Sequence, residues 1–403
     1  MLEIKPILSA LLRHKSSTLL IILQIAITFA VVVNSTSIIK ERIELMSRDT
    51  GLVNDRLITF NVNAFGEDYD HESNLRADLE LLRSLPGVVS AAPMNQIPLS
   101  GSGDSSGVAG SQEAVDNLEM TGTGMFHGDS HMINTLGVKL AAGRLFTPEE
   151  ITYSRGRADV KSVIITQALA DQIYPEGNAL GSTLFMGGDL KMTIVGIVEH
   201  MSGSWPSWSN FNYNVLTPFV PLRDFQRYLI QAEDQETVTR LLGEVEKLLI
   251  DRNRQRVITN VRSMDELIER IYADDAAMTT ILWVVVILLV LITALGIVGI
   301  VSFNVNQRVK QIGTRRALGA TRMDILRYFV TENILITSLG LFVGITLTIG
   351  FNVFLAEQFE MPEFNWNLIP VGVLIMFFIG IVSVWLPARR ASKVSPAIAT
   401  QSI

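Results

Sequence analysis

Four long apolar segments divide the chain, and they cover residues 18–39, 278–303, 334–355 and 368–386. Each is close to the roughly 20 residues that an α-helix needs to cross a bilayer. None contains an internal Asp, Glu, Lys or Arg. The pattern therefore predicts four transmembrane helices. The first is interpreted as an uncleaved span, because Lys40, Glu41 and Arg42 follow it where a signal-peptide cleavage site needs small residues.

Residues 40–277, between the first two spans, have the patterns of a folded domain. Apolar residues alternate from Leu57 to Val62, as in a strand, and leucines from Leu75 to Leu85 fall on one face of a helix that Pro86-Gly87 ends. A similar rhythm returns near the end of the domain, with an extended segment at 218–221, a helix at 238–250 and a strand at 257–261. The predicted fold class is an α-helical membrane protein with four transmembrane helices and a large α+β extracytoplasmic domain, in two subdomains, between spans 1 and 2.

The middle of this domain is predicted to be less regular. The Gly- and Ser-rich stretch 98–116 has the composition of a loop. Short strands are predicted after it at 137–140, 143–146, 162–165 and 192–198, and a helix is predicted over 264–272. The chain order is then a lead (1–17), span 1 (18–39), the domain (40–277), span 2 (278–303), a loop (304–333), span 3 (334–355), a short loop (356–367), span 4 (368–386) and a tail (387–403).

Charge is distributed unevenly over the 403 residues and predicts the orientation of the spans. The net charge is +2 for residues 1–18, +4 for 304–333 and +3 for 387–403, but −13 for 40–277 and −3 for 356–367. Since Lys and Arg in short flanking segments stay on the cytoplasmic side, both termini and the 304–333 loop are predicted to be cytoplasmic. No basic patch exceeds what this topology requires, which argues against nucleic acid binding. The chain has no cysteine, so disulfides are excluded.

Small and polar residues within the spans predict helix packing. Gln24 and Thr28, flanked by Ser17 and Ser35, form one stripe on span 1, and a polar stripe is expected to face another helix and not lipid. A substrate path is the alternative interpretation of this stripe. Close helix contacts are also predicted at Gly296, Gly299, Gly340 and Gly344.

The loop from Asn304 to Glu332 carries the most specific pattern. It contains six Lys or Arg and two acids, with expected helix breaks at Gly313 and at Gly319-Ala320. Thr321, with Asp324 three residues later, has the pattern of a capped helix start. Such a helix, leading directly into a span, could be pushed by a soluble partner and move that span. The alternative is a positively charged anchor at the lipid headgroups.

The sequence QRVKQIGTRRALGATRMDILRYFVTENILI resembles the cytoplasmic loop of the FtsX-like permease domain in MacB-type ABC transporters, where QR-x3-EIG-x-RRALGA is typical. Gln311 stands where the family usually has Glu. In the extracytoplasmic part, LGVKLAAGRLFT, VIITQALADQIYP, ALGSTL and TIVGIVEH resemble the MacB-type periplasmic core, with Thr166 replacing the common Asn. Residues 387–396 resemble the family's PARRA-x4-P tail, whereas Ile398-Ala399-Thr400 departs from its usual Glu-Ala-Leu.

The resemblance implies a function and a set of partners. The chain would be a non-catalytic permease subunit in a bacterial inner membrane, with residues 110–215 as a distal subdomain. It would work with a dimeric ATPase that supplies ATP and Mg, a second identical or homologous permease chain, membrane lipids and a periplasmic adaptor. The residues implied to contact the ATPase are Arg315, Arg316, Ala317, Leu318, Gly319, Ala320, Thr321, Asp324 and Ile325. A lipoprotein-releasing permease and an FtsX-like regulator of a cell-wall hydrolase, whose external domain is usually smaller, are the alternatives.

Other chemistries lack a pattern in this sequence. There is no G-x4-GK-[ST] loop, so no nucleotide is expected to bind in that manner, and no cofactor or metal is expected. His127 and His131 could share a helix face, but Gly128 weakens that helix. The stretch Gly103–Gly107 lacks the flanking strand and helix of a serine nucleophile loop. A proton- or ion-coupled carrier is disfavoured, because such a carrier normally needs a charged residue within its spans.

Overall fold

The computed structural model describes residues 15–156, 159–187, 190–359 and 365–394. Most of the predicted lead, the segment 360–364 and the end of the tail lie outside the described residues. The helices are α1 Lys15–Met46, α2 His71–Ser84, α3 Gln112–Asp116, α4 Met132–Leu136, α5 Gln167–Ile173, α6 Gln235–Arg252, α7 Met264–Ile271, α8 Ala273–Gln307, α9 Val309–Ala317, α10 Arg322–Phe359 and α11 Leu368–Ser392.

Thirteen strands are present in the described part of the chain. They are β1 Leu57–Ala64, β2 Val88–Met94, β3 Ser105–Ala109, β4 Thr121–His127, β5 Leu140–Gly143, β6 Thr152–Ser154, β7 Ser162–Thr166, β8 Thr183–Met186, β9 Leu190–Val198, β10 Asn214–Thr217, β11 Phe219–Pro221, β12 Phe225–Ala232 and β13 Arg256–Ser263. The chain divides into two compact units, a membrane unit (residues 1–44 and 275–403) and an extracytoplasmic unit (45–274).

Four helices of the membrane unit, α1, α8, α10 and α11, are long and apolar enough to cross a membrane. Each contains one predicted span and continues beyond it, because helical hydrogen bonding does not stop where the side chains become polar. In α11 the extension reaches into the predicted tail. This helix runs through Pro387 to Ser392, so the first residues of the predicted tail are helical, with Ala388 and Ala391 buried.

Polar side chains on α1 contact α8, as the stripe predicted. The Gln24 Nε2 donates to the carbonyl oxygen of Ile292 at 3.1 Å, and the hydroxyls of Thr28 and Thr293 are 2.7 Å apart. The Arg42 guanidinium also forms a 3.0 Å ion pair with Asp275. The two helices are therefore joined by polar contacts at three positions along their length.

Three of the four predicted packing glycines lie against another helix. A Cβ at Gly296 would meet the Gln24 side chain, and one at Gly340 or Gly344 would meet Ile25 or Phe29 of α1. At Gly299 no atom of the described residues lies within 4 Å of the Cβ that this position would carry, so a helix contact there is not made within this chain and stays a prediction. Two glycines of α11 were not predicted as contacts: a Cβ at Gly372 would meet Val33 of α1, and one at Gly380 would meet Asn333 of α10.

The first sheet of the extracytoplasmic unit has four antiparallel strands in the order β13-β1-β12-β2. Helices α2 and α6 pack on one face through Leu79, Leu82, Leu241 and Val245. Strands β1 and β2 come from the start of the extracytoplasmic unit, and β12 and β13 come from its end. This sheet therefore combines two separated pieces of the chain, as the repeated strand and helix pattern indicated.

A buried charged network holds this first sheet and its helices. Asp78 of α2 accepts hydrogen bonds from the Arg252 Nε at 2.8 Å and the Tyr228 hydroxyl at 3.2 Å, and it pairs with Arg256. Asp78 and Arg256 have no exposed side-chain surface. One carboxylate therefore connects α2, α6, β12 and β13, and its charge is balanced by two guanidinium groups.

The second sheet is closed into a barrel. Its order is β5-β9-β7-β10-β4-β3-β8, and an additional antiparallel pairing between β8 and β9 joins the last strand to the second. Six strands thus form a ring, and β5 is attached outside it along β9. The ring encloses a hydrophobic core, whose members include Val108, Met125, Val163, Ile165, Leu184, Met192, Ile194 and Val215.

The barrel corresponds to the predicted distal subdomain, with two corrections. Its first strand is β3, so residues 105–109 are not a loop, and α3 also lies within the stretch predicted as one. Moreover, the barrel is not separate from the first sheet, because Phe126, Ile164 and Leu216 share one core with Leu57, Met94 and Leu229. Excision of 110–215 would therefore remove half of a shared core.

The two histidines considered for a metal site do not share a helix. His127 ends β4 and its Nδ1 lies 2.6 Å from the Thr217 hydroxyl, whereas His131 precedes α4. The short segment before β5 also differs from its predicted strand. Gly137 ends α4 in a left-handed conformation, so the strand begins only at Leu140.

Candidate coupling site

The predicted contact segment is built from α9, a tight turn and the start of α10. Gly313 was expected to break the helix, but it does not. It is buried in the middle of α9 beside Ile312. Ile312 packs with Ile325 and Phe329 of α10 and with Ala388 and Ala391 of α11. Helix α9 is therefore held against the ends of two spans by its apolar face, and its remaining face is left to solvent or lipid.

The turn between α9 and α10 is defined by its hydrogen bonds. The N–H of Ala320 donates to the Arg315 carbonyl at 3.0 Å, and that of Gly319 donates to the Arg316 carbonyl at 3.2 Å. This paired arrangement is the Schellman motif, which needs a left-handed residue at its centre. Gly319 supplies that residue with φ +99°, so the predicted break at Gly319 is confirmed.

A reciprocal cap starts α10 two residues later. The N–H of Asp324 donates to the Thr321 hydroxyl oxygen at 3.2 Å, and the Thr321 N–H donates to the Asp324 carboxylate at 2.9 Å. This is a capping box, with Asp in the place of the usual Glu or Gln. The predicted cap is therefore confirmed. The capped turn is the first turn of the helix that contains span 3, since α10 continues without interruption to Phe359.

A buried ion pair joins the residue that precedes α9 to α10. The Arg308 Nη1 lies 3.0 and 3.2 Å from the two carboxylate oxygens of Glu332, and both side chains are almost completely buried. Arg308 lies between α8 and α9, while Glu332 lies three turns into α10. Since an unpaired charge would be costly at this depth, the pair favours the arrangement in which the end of span 2 and the start of span 3 are adjacent.

The implied contact residues differ in their exposure. Arg315 is exposed, and its guanidinium carbon lies 4.8 Å from the centre of the Tyr328 ring, in cation–π geometry. Ala317, Leu318, Gly319, Thr321 and Asp324 are exposed, and Arg316 and Ala320 are half-buried. Ile325 is 3% exposed and belongs to the core, so its implied place on a contact surface is wrong.

Two features of this site were missed from the sequence. One is Met323, which is 55% exposed next to the turn and adds a second exposed apolar side chain to that of Leu318, an implied contact residue that is 83% exposed. The other is the Arg308–Glu332 pair, although Arg308 lies in the QR of the family pattern. Arg and Glu at the membrane-facing ends of consecutive spans were the available indication, but only the turn at Gly319 brings them together.

Four membrane-spanning helices, a large domain inserted after the first, and a short basic helix between the second and third define the class of a membrane permease component. The comparisons identify the family. A family model described as "MacB-like periplasmic core domain" matches residues 18–248, and one described as "FtsX-like permease C-terminal" matches residues 283–396. The chain therefore belongs to the FtsX-like, MacB-type family of ABC transporter permeases.

Named relatives agree with this family. The chain is 27% identical over 272 residues to "Uncharacterized ABC transporter permease YknZ" of Bacillus subtilis, covering 66% of this chain and 67% of that protein. It is 23% identical over 401 residues to "Macrolide export ATP-binding/permease protein MacB" of Acinetobacter baylyi, covering 96% of this chain and 57% of that protein. The chain thus spans little more than half of that MacB relative.

A solved structure of the periplasmic region of MacB from Actinobacillus actinomycetemcomitans is also similar. It is 14% identical, with a TM-score of 0.36, over 55% of this chain and 94% of that structure.

Proposed function

We propose that this chain is the non-catalytic membrane subunit of an ABC transporter in the bacterial inner membrane. A separate dimeric ATPase, which binds ATP and Mg, docks on the exposed surface of α9 and the start of α10. A second permease chain, identical or homologous, completes the membrane part, and a periplasmic adaptor is a further partner. The transported substrate is handled by the extracytoplasmic unit.

The observation that carries the proposal is the exposed apolar pair Leu318 and Met323 on a segment that is otherwise tightly held. Exposed apolar side chains on a short segment that also carries the exposed Arg315 and Arg322 are typical of a protein–protein contact. A positively charged anchor at the lipid headgroups needs the arginines but does not need the Schellman turn and the capping box, which fix the direction of this surface.

The contacts on the opposite side of α9 supply a route for movement. A displacement of α9 acts on α10 through Ile312 and Ile325 and through the Arg308–Glu332 pair. It acts on α8 directly, because α8 and α9 are separated by one residue. The Thr28–Thr293 and Arg42–Asp275 contacts then pass the movement of α8 to α1. The helices that precede and follow the extracytoplasmic unit would thus move together.

The test is co-purification of the ATPase with variants of the exposed surface. Gly319→Val should reduce ATPase binding and ATP-driven function, because a β-branched residue resists the left-handed conformation while the site itself has room for a side chain. Leu318→Asp should have a similar effect by placing a charge in an apolar contact. Arg315→Ala combined with Arg316→Ala should lower binding by weakening charge complementarity.

The matched control is Arg389→Ala with Arg390→Ala, which removes the same charge from the exposed end of α11. A topology assay on the same samples separates docking from anchoring, because anchoring predicts altered insertion with normal ATPase binding. Lys393→Cys, at an exposed position near the end of α11, is the reporter for the predicted cytoplasmic side. Undiminished ATPase binding in Gly319→Val, Leu318→Asp and the Arg315/Arg316 variant, or equal loss in the control, would contradict the proposal.

A further inference from the structure

The six-stranded barrel of the extracytoplasmic unit is filled at one end and open at the other. Helix α5 follows directly on β7, and Leu169 and Ala170 from this helix belong to the barrel core. The Tyr174 hydroxyl, at the end of the same helix, donates to the Thr183 carbonyl of β8 at 2.8 Å. Helix α5 therefore plugs the end of the barrel where β7 finishes and β8 begins.

A cavity of about 370 Å³ lies at the opposite end. It is lined by the ends of strands that meet there, including Ser106 near the start of β3, His127 at the end of β4, Met186 at the end of β8 and Leu190 at the start of β9. The mouth of a barrel is a common place for a small-molecule site, and the volume is within the usual range for one. The closed sheet thus encloses a cavity at one end of the barrel, and the packed barrel core lies beneath it.

The lining of this cavity is rich in methionine. Met125, Met186 and Met192 come from three different strands, and Met125 and Met192 are buried in the barrel core. The wall is therefore held in place by packing before any ligand arrives. Methionine is polarisable and conformationally adaptable, so a wall of this kind suits apolar bodies of varied shape.

The polar groups of the cavity are arranged at one side. His127 is hydrogen-bonded to Thr217 and lies edge-on to the Phe219 ring, with 5.5 Å between ring centres. Burial lowers the pKa of His127 to about 4, against a smaller opposing influence of Asp104, so the ring is neutral at physiological pH. The polar side of the cavity therefore offers hydrogen bonds from His127 without a charge.

The two charged residues of the lining are not equivalent. The Asp104 carboxylate already accepts a hydrogen bond from the Asn95 side chain at 2.9 Å. Arg223 is exposed at the cavity, and in the described part of the chain no carboxylate lies within ion-pair distance of it. A ligand with a negative group would supply that partner, whereas a cation would have to compete for Asp104.

We propose that the mouth of this barrel binds a small amphiphile, with its apolar body against Met125, Met186 and Met192 and its single anionic group at Arg223. The site is formed within the extracytoplasmic unit, so binding requires neither ATP nor the ATPase. The proposal therefore stands or fails independently of the docking surface on α9 and α10.

The absence of cysteine permits a direct test on the full chain in nanodiscs. Ser106→Cys places one thiol in the cavity, and Leu118→Cys places a control thiol at a position that is 81% exposed and does not line the cavity. The probe is 2-naphthoate, and 2-naphthylmethylammonium is its cationic counterpart. At a naphthoate concentration about ten times the Kd, alkylation of Ser106→Cys by a maleimide should slow about tenfold, since only the free fraction reacts.

The effect of charge is measured in the same assay. Arg223→Gln should weaken naphthoate binding about fivefold, in line with a partly exposed ion pair, and should not weaken binding of the ammonium probe, which loses a repulsive neighbour. Unchanged labelling of Ser106→Cys with naphthoate, repeated with Met186→Cys in case the first variant is poorly folded, would overturn the site. Equal slowing of Leu118→Cys would also overturn it. Equal protection by both probes, insensitive to Arg223→Gln, would overturn the preference for an anion.

Discussion

Two buried charged clusters in the described part of the chain differ in what they connect. Asp78 is shared by Arg252, Arg256 and Tyr228, which come from parts of the chain far from it in sequence. Glu332 of α10 pairs with Arg308, which directly precedes α9, and a single turn separates α9 from α10. The first cluster therefore specifies the tertiary fold of a sheet and its helices. The second specifies the direction of one short helix relative to the span that follows it.

This difference suggests different consequences of mutation. Removing a group from the Asp78 cluster leaves buried charges that no neighbouring element can satisfy, so the whole extracytoplasmic unit should be destabilised. Removing one member of the Arg308–Glu332 pair also leaves a buried charge, but the pair joins only α10 to the start of α9, so the disturbance should be local. Under the proposed function, the expected loss is in coupling as well as in the stability of this region.

The largest expected effect is that of Asp78→Ala. It leaves the Arg256 guanidinium buried without its carboxylate, and the unit should lose about 3–5 kcal/mol of stability. Urea unfolding of the full chain, followed by protease sensitivity of the extracytoplasmic unit, measures this loss. Glu80→Ala, an exposed position on the same helix, is the control and should change stability little. An Asp78→Ala protein as stable as the control would contradict the comparison.

The membrane-side pair is tested by Arg308→Met alone and together with Glu332→Leu. The single variant leaves a buried carboxylate and should cost about 3 kcal/mol, whereas the double variant replaces both charges by apolar groups and should recover most of it. If the pair fixes the direction of α9, ATP-driven function should remain impaired in the double variant. Recovery of both thermal stability and function would mean that the pair contributes to stability alone.

A third measurement follows the stability of the extracytoplasmic unit as a function of pH, to find the contribution of the buried His127. Burial holds the pKa of His127 at about 4, between Asp104 and Arg223, while an unfolded histidine has a pKa of about 6.5. Between these values only the unfolded chain takes up the proton, so stability should fall as the pH drops from 6.5 to 4, by about 3 kcal/mol at most. His127→Gln should flatten this slope, and His200→Gln should not. An equal slope in all three proteins would exclude His127 as its origin.

The smallest expected effect is that of Thr321→Ala. Loss of its side-chain oxygen removes one half of the capping box and should cost about 1 kcal/mol at the first turn of α10. Hydrogen exchange of the amides at 322–325 should accelerate, with a modest loss of coupling. Thr314→Ala, which removes an exposed hydroxyl from the middle of α9, is the control. Equal exchange rates in the two variants would mean that the cap does not hold this turn.

Local chemistry made several features predictable from the sequence. The four spans follow from length and apolarity, and the Thr321 cap and the Gly319 turn follow from side-chain geometry within six residues. The prediction for Gly313 was wrong, and the contact expected at Gly299 is not made within the described part of the chain, for a common reason. A glycine can break a helix, allow a close contact or do neither, and only the neighbouring helices decide which of these occurs.

The barrel could not be predicted, because its closure depends on pairing between distant strands. The turn residues near Gly107 favoured a loop, yet β3 is held by β4 on one side and β8 on the other. The shared core was hidden for a similar reason. Alternation along β4 places Phe126 and Met125 on opposite faces, but the sequence does not state that both faces are covered.

The pairing of β1 has a consequence for how the protein folds. Leu57 pairs with Gln231 of β12 and Ile58 with Ser263 of β13, so the first strand to be synthesised has no partner in its sheet until almost the entire unit has emerged. All strands of the barrel are available before then. Long-range pairing is slow because the loop must close first, and an exposed strand edge is prone to aggregate during the delay. The barrel should therefore form early. The first sheet should complete its pairing last, after β13 has been synthesised and has reached the same side of the membrane as β1.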